Sequence, residues 1–271
     1  MDTTILPFSP DHVEPAATLL AARHRRDRLG TPSLSSAYED LAATVTVVRD
    51  LLAADGTSGV VALRGERVVA YLLGTLSLGS PTRTFAGFMH PRAADIPHAG
   101  HAAEAGEAPM LYPRLYAPLA QGWVAGGHVG HYVTVPADRD AADPWLDLGF
   151  APFVTMAVRP TTPPAERADR PAPDVTVRRA TADDEATVQA LVTELMRSFA
   201  DPPIFVPFLP ETAAERAKFV ADRLADPACP CWLAFVNGRP VGLQLFEEPS
   251  SSHWHLSPLE SVPRGVYLFL A

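Results

Sequence analysis

Two stretches of this chain share one pattern: residues 62–70 read ALRGERVVA, and residues 234–242 read AFVNGRPVG. Each places apolar residues on both sides of a short turn containing glycine, which predicts two antiparallel strands joined as a hairpin. The offset is 172 positions, from 62 to 234. Ser9-Pro10-Asp11 and Thr181-Ala182-Asp183 have the same offset, and each precedes a helical pattern. A repeat of this length predicts two copies of a domain.

The elements predicted in each copy begin with a strand, two helices and the hairpin. A segment with five prolines and scattered charges lies between the copies. Proline-rich chain is extended and keeps the domains on either side apart, so we predict that this segment is a linker. The predicted domains are therefore 1–159 and 175–271, with a linker at 160–174. Elements predicted in the first copy are helix Ser36–Ala54, strand Phe85–Met89, helix Met110–Val124 with a kink or break near Pro118, strand Val129–Val135, helix Asp143–Leu148 and strand Phe153–Val158. Those in the second are strand Val175–Arg179, helix Glu211–Leu224 and strand Gly265–Ala271.

The same offset predicts that the second copy is incomplete. If the first copy ends near Pro160, the second would end about 60 residues beyond Ala271. We therefore expect the final strand to form a sheet edge, and such an edge tends to pair with another chain. A homodimer through this edge is one expectation from the sequence.

Composition restricts the class of protein. Hydrophobic residues make up 47% of the 271 residues and charged residues 20%, as in globular domains. A net charge of −9 without a basic stripe disfavours nucleic acid as a partner. No apolar run reaches membrane-spanning length and no signal peptide is visible, so we predict a cytoplasmic protein without a membrane partner. Lys218 is the only lysine among many arginines, which is typical of a high-GC bacterial coding bias.

Several of these motifs resemble the GNAT family of N-acetyltransferases. Residues 131–135 (HYVTV) followed by 145–150 (WLDLGF) are similar to the family's fifth strand and the turn after its fourth helix. Residues 175–184 (VTVRRATADD) resemble the typical opening of such a domain, and 236–242 (VNGRPVG) its second-to-third strand turn. The resemblance implies an α/β (α+β) fold with two tandem mixed-sheet domains, the second incomplete.

The resemblance also implies a cofactor and a place for it. In the family, a turn of the form Arg/Gln-x-x-Gly-x-Gly/Ala after the fourth strand binds the pyrophosphate of acetyl-CoA through backbone N–H groups and a helix N-terminus. Neither copy contains this turn. In the first, Glu104 and Glu107 would lie near the phosphates and repel them, so we expect a degenerate, non-catalytic domain.

In the second copy, the fourth strand would supply backbone groups to acetyl-CoA at Phe269, Leu270 and Ala271. The candidate catalytic bases, by location only, are Glu247 and Glu260, although an ordinary solvated carboxylate is the simpler interpretation of each. The implied reaction is direct attack of a deprotonated primary amine on the thioester. Its acceptor would be a small-molecule or peptide amine.

Other patterns have simpler interpretations. His98-x-x-His101 and His128-x-x-His131 have spacings that metal ligands use, but no further ligands lie nearby, so we predict no metal site. Cys229-Pro230-Cys231 lacks the two-residue spacing usual for redox pairs, and buried thiols explain both cysteines. Two hypotheses for function remain open. The first is an N-acetyltransferase, and we expect the chain as given to be inactive. The second is a non-catalytic acyl-CoA-binding or protein-interaction module.

Overall fold

The computed structural model describes residues 3–32, 34–76, 90, 92–153, 174–202, 205, 208–210, 213–247 and 264–269. Contacts between Cα atoms group them into two compact units. Unit 1 holds residues 3–76 and 92–153, and unit 2 holds the residues from 174 onward together with His90. The predicted linker falls almost wholly outside the described residues, so the domain boundaries at 159 and 175 stay predictions.

Unit 1 is a mixed sheet with helices on both faces. The sheet order is β1-β2-β3-β4-β6, and β5 also pairs with β3. β4 and β6 run parallel, and every other pair is antiparallel. The strands are β1 (Thr4–Pro7), β2 (Thr57–Arg64), β3 (Arg67–Leu76), β4 (Ala93–Ile96), β5 (His101–Ala103) and β6 (Gly130–Val133); the helices are α1 (Val13–Gly30), α2 (Leu41–Ala53), α3 (Ala108–Ala125) and α4 (Arg139–Leu146).

Two hydrophobic clusters lie on opposite faces of this sheet. Successive side chains of a strand point to opposite faces, so β3 contributes to both clusters. Tyr71 and Leu73 pack with residues of α1 and α2, while Leu72 packs with α3 and Trp145 of α4. The central strand is therefore buried on both faces, as strands covered by two helical layers are.

Unit 2 is a four-stranded antiparallel sheet with the order β10-β9-β8-β7. One described hydrophobic cluster joins it to two helices, with Leu233 of β8 fully buried at its centre. On the opposite face of β8, Trp232 is 39% exposed. The strands are β7 (Val175–Arg179), β8 (Cys231–Val236), β9 (Arg239–Glu247) and β10 (Arg264–Phe269), and the helices are α5 (Glu185–Ser198) and α6 (Ala213–Ala225).

Corresponding elements of the two units start and end at a nearly constant offset. The clearest case is α2 at 41–53 and α6 at 213–225, which differ by 172 at both ends. Ser9 with His12 and Thr181 with Asp184 form capping boxes, each before a helix, at the same offset. The strand irregularity after Ala62 in the first hairpin has its counterpart after Ala234 in the second.

Several predicted elements have different bounds. The helix predicted over Ser36–Ala54 is a 3₁₀ turn followed by α2, because the Asp40 carboxylate accepts a bond from the Ala43 N–H at 3.1 Å and starts a new helix. The helix predicted to kink or break near Pro118 runs unbroken from Ala108 to Ala125. The helix predicted at Asp143–Leu148 starts earlier, at Arg139, where Asp138 caps the N–H groups of Asp140 and Ala141.

The remaining predictions differ little or are untested. The strand predicted at Val129–Val135 covers Gly130–Val133, and the helix predicted at Glu211–Leu224 is described as Ala213–Ala225. Strand Phe85–Met89 and most of strand Phe153–Val158 lie outside the described residues. Among the described helices, none is both long and apolar enough to cross a membrane.

Candidate functional site

The first candidate site is the turn between β5 and α3 in unit 1. Residues 104–107 form this turn, and Gly106 adopts a φ of 77°, a backbone conformation that glycine accepts without strain. The turn follows a strand and opens a helix, which is where the family resemblance places the pyrophosphate-binding turn. A turn in that position fits a phosphate only if its backbone donors and local charge are available to an anion.

The turn already carries the negative charge of two carboxylates, which belong to Glu104 and Glu107. Arg64 donates two hydrogen bonds to Glu107, with Nη1–Oε1 at 2.9 Å and Nη2–Oε2 at 2.6 Å. Arg67 pairs in the same way with Glu104. Hydrogen bonding from Arg64 is the main cause that lowers the pKa of Glu107, which therefore stays ionised at neutral pH. Both hairpin arginines are thus engaged by the chain's own acidic groups.

Three backbone donors around the start of α3 are also in use, those of Glu107, Met110 and Leu111. Pro109 has no N–H, and the N–H groups of Met110 and Leu111 both bond to the Glu107 carbonyl, at 3.1 and 2.9 Å. The Glu107 N–H bonds to the Glu104 carbonyl at 3.0 Å. The turn therefore does not fit a pyrophosphate, because its nearest side chains are carboxylates, which repel phosphate, and because several nearby backbone donors bond within the chain.

The strand before this turn is interrupted, and Arg23 of α1 holds the interruption. Between β4 and β5, residues 98–100 form a 3₁₀ turn. The pairing register with β3 shifts by three residues across this turn. Arg23 is 7% exposed and donates to the carbonyls of His98, at 2.7 Å, and His101. Its Nε also bonds to Asp27 at 3.1 Å. The guanidinium thus satisfies buried carbonyls that the break frees from the strand ladder.

His101 connects this break to β6 and α3. Its Nε2 lies 3.0 Å from the Thr134 carbonyl oxygen, which only accepts, so Nε2 carries the proton. Its Nδ1 accepts bonds from Arg23, at 3.1 Å, and from the Tyr112 hydroxyl, at 3.0 Å. Burial, followed by the charge of Arg23, lowers the pKa of His101 well below its usual value. The imidazole is therefore neutral and structural.

A cluster of rings packs beside His101, between the sheet and the helices α3 and α4. Trp145 is 1% exposed at its centre, with ring centroids 5.0 Å from Tyr112, 5.5 Å from His101 and 5.4 Å from Phe150. Most of these pairs are edge-to-face, a favourable aromatic geometry. Protein side chains therefore fill the region that leads from the interrupted strand toward β6, which is a second reason that unit 1 does not fit an acyl-CoA.

The second candidate site is β10 in unit 2, whose last described residue, Phe269, is one of those predicted from the family resemblance. Phe269 pairs with Gly242 of β9, and Glu247 is placed opposite Arg264 at the far end of the same pair of strands. Within the described residues, β10 is the last strand of its sheet and pairs only with β9. Glu260, Leu270 and Ala271 lie outside the described residues, so their predicted roles stay predictions.

The histidine and cysteine pairs take structural positions. His98 and His101 belong to the buried network around Arg23, while His131 Nδ1 lies 2.7 Å from the Tyr116 hydroxyl. No group of three metal-ligating side chains occurs among the described residues. Cys229 and Cys231 are free and buried, and burial raises the pKa of Cys231 to about 11.

Comparison with known proteins gives similarity to solved structures only. No family model matches the sequence, and no curated protein matches it. A GCN5-related N-acetyltransferase from Ralstonia eutropha JMP134 is 15% identical, with 58% of this chain and 98% of that chain covered and a TM-score of 0.43. A ribosomal-protein-alanine N-acetyltransferase from Brucella melitensis biovar Abortus 2308 is 12% identical over 59% and 99%, with a TM-score of 0.39. The aminoglycoside N-acetyltransferase AAC(6')-Iy, in complex with CoA, is 11% identical over 59% and 95%, with a TM-score of 0.41.

The residues that decide the first site were only partly visible in the sequence. The sequence predicts that Glu104 and Glu107 are unfavourable for phosphate, and the structure places both in the turn before α3. The sequence gives no signal for their partners Arg64 and Arg67, because these lie about 40 positions earlier and the pairing depends on the fold. The helical position of Arg23 gave no signal that it caps a strand break.

Proposed function

We propose that this chain belongs to the acyl-CoA-dependent N-acetyltransferases of GNAT type, with two tandem domains. Unit 1 serves as a scaffold, and β10 of unit 2 is the strand along which acetyl-CoA would bind. The observation that carries this proposal is the contrast between the two units: the carboxylates of Glu104 and Glu107 occupy the turn after β5, whereas β10 is the edge strand of its sheet within the described residues.

The constant offset between the units supports the tandem part of this proposal. Equal spacing of helices, capping boxes and strand irregularities follows naturally from duplication of one domain. In this view, β10 of unit 2 corresponds to β4 of unit 1. The cofactor-binding backbone is then at Phe269, Leu270 and Ala271, and Glu247 and Glu260 are the candidate bases.

The proposed reaction is transfer of an acetyl group from acetyl-CoA to a primary amine of a small molecule or a peptide. We expect the 271-residue chain to be inactive or very weak, because neither unit has the pyrophosphate turn. This expectation is tested by following release of the CoA thiol with spermidine, an aminoglycoside and a peptide with a free N-terminus. Saturable transfer to any of them would contradict inactivity.

The test of the cofactor site is titration of the chain with acetyl-CoA by isothermal calorimetry, followed by hydrogen exchange with mass spectrometry. The expected result is weak binding with protection of residues 264–269. Protection of residues 101–112 instead would overturn the scaffold role of unit 1. Calorimetry with acetate alone serves as the control, because it tests whether the acetyl group binds without the nucleotide.

A second candidate function is a protein-interaction module, and the same edge strand favours it. An exposed edge presents backbone donors and acceptors that pair with another strand. If β10 pairs with a second copy of the chain, light scattering will show a dimer whose population rises with concentration, and exchange of 264–269 will slow without acetyl-CoA. Absence of acetyl-CoA binding together with such a dimer would favour this module over the enzyme.

A further inference from the structure

A cavity between α5 and α6 of unit 2 is lined by none of the residues of the two candidate sites described above. Its volume is about 310 Å³, at the small end of the range of about 300–1,000 Å³ typical of small-molecule sites. The two helices form its walls, and Phe208 and Pro210 of the connecting segment close one side. Apolar side chains such as Val192 and Val220 line part of it, so a ligand here would bury an apolar portion.

The polar part of the lining is cationic. Arg197 from α5 and Arg216 from α6 both line the cavity, and their Cζ atoms lie 5.4 and 4.6 Å from the centre of the Phe208 ring. Each distance allows a cation–π contact, so one ring gathers both guanidinium groups. Arg216 also donates to the Leu209 carbonyl at 3.3 Å, which fixes its position relative to the connecting segment.

These two arginines are close enough to affect each other. Burial, and next the charge of Arg197, lowers the pKa of Arg216. None of the described lining residues is acidic; the lining amide of Gln189 bonds to Glu185, one turn away, at 2.8 Å. Two guanidinium groups at one cavity give its described lining cationic donors that can attract an anion. This local charge is opposite in sign to the net charge of −9 of the chain.

We infer that the cavity between α5 and α6 binds a small organic anion, with its carboxylate or phosphate at Arg197 and Arg216 and its apolar body against Phe208 and the helix side chains. Guanidinium groups recognise both kinds of anion by charge-assisted, bidentate hydrogen bonds. The site does not depend on the acyl-CoA proposal, because none of its residues belongs to β9 or β10.

The test uses three probes that share a phenyl ring: phenylacetate, phenyl phosphate and phenethylamine. Each is titrated into the full chain and followed by calorimetry. We expect at least one anion to bind saturably and the amine to bind about tenfold more weakly or not at all. A preference for one anion identifies the class as carboxylates or phosphate monoesters. Failure of both anions, or equal binding of the amine, would overturn the inference.

Variants then locate the binding. Arg197→Gln removes an exposed cation and should weaken the affinity for the anion about tenfold. Arg216→Lys keeps the positive charge but loses the planar guanidinium group. The matched control is Lys218→Gln, which removes a cation on α6 that pairs with Asp222 outside the cavity lining. Unchanged affinity in Arg197→Gln, or an equal loss in Lys218→Gln, would contradict the site. Circular dichroism of each variant verifies folding, and the wild-type comparison of anion with amine needs no variant.

Discussion

At the scale of single residues, His101 makes unit 1 sensitive to acid. Its buried imidazole is neutral in the folded state, and its folded pKa lies below the unfolded value of 6.5. The unfolded chain therefore takes up a proton near pH 6.5 that the folded chain does not, so stability falls as the pH drops through this value. One such proton contributes at most about 1.4 kcal/mol per pH unit.

We predict that His101→Gln reduces this dependence. Glutamine keeps one donor and one acceptor but does not titrate, so the free energy of unfolding between pH 7 and 5 should change less steeply than in the wild type. Some slope will remain, because burial also lowers the pKa of His24. Urea unfolding at several pH values measures this. Tyr112→Phe is the control, since it removes a bond to Nδ1 but keeps the imidazole, and an equal slope in His101→Gln and wild type would refute the assignment.

The two cysteines should be unreactive in the folded protein. Burial raises the pKa of both thiols, that of Cys231 to about 11, so little thiolate exists at neutral pH. We predict slow reaction of the native chain with Ellman's reagent at pH 7.5. Reaction of both thiols should become fast in guanidinium chloride, which serves as the control. A rapid reaction of two thiols in the native state would show that the pair is accessible.

At the scale of elements, the break between β4 and β5 depends on one arginine of α1. Arg23→Leu would leave the carbonyls of His98 and His101 without this donor and Asp27 without its hydrogen bond from Nε. Removing one partner of a buried, hydrogen-bonded charge costs about 3–5 kcal/mol. We predict a loss of that size in urea unfolding. The control is Arg25→Leu on the same helix, whose exposed side chain bonds only to the Glu39 carbonyl among the contacts described, and which should lose less than about 1.5 kcal/mol.

The ring cluster joins α4 to the rest of unit 1 through Trp145. Trp145→Ala would empty a fully buried site and should destabilise the chain by about 3–5 kcal/mol. Trp145→Phe keeps one ring and removes an indole N–H that has no hydrogen-bond partner among the described residues, so its loss should be less than half as large. Urea unfolding compares the two variants. Equal losses would contradict the assignment of this stability to ring packing, because Trp145→Phe keeps an aromatic ring in the site.

Elements that depend on residues close together in the sequence were predictable. The ion pairs and the strand break at the first candidate site were not. The hairpins and the helices predicted after Ser9 and Thr181 depend on residues within a few positions of each other, and the structure has all of them. Asp40 shows where a local pattern misleads. The pattern predicts one helix over Ser36–Ala54, but the Asp40 side chain caps a new helix inside that range. The β4–β5 break and the Arg64–Glu107 pair need contacts across 40 to 80 positions, which a single sequence does not reveal.

At the scale of the whole molecule, the two units have separate hydrophobic clusters. The unit 1 sheet is buried on both faces by two clusters, whereas the described residues of unit 2 form one cluster on one face. A sheet that buries apolar side chains on both faces gains more from folding than one that buries a single face. Unit 2 should therefore be the less stable of the two.

Calorimetry on the full chain tests this difference with one core variant in each unit. We predict two thermal transitions, because each unit has its own core, with the lower one belonging to unit 2. Leu233→Ala should lower only the first transition, and Leu73→Ala only the second, each by a core loss of about 2–5 kcal/mol. The two variants are matched controls for each other, since both remove a fully buried leucine from a central strand. A single transition that both variants shift equally would mean that the units unfold as one, and the separate roles proposed for them would then lack a thermodynamic basis.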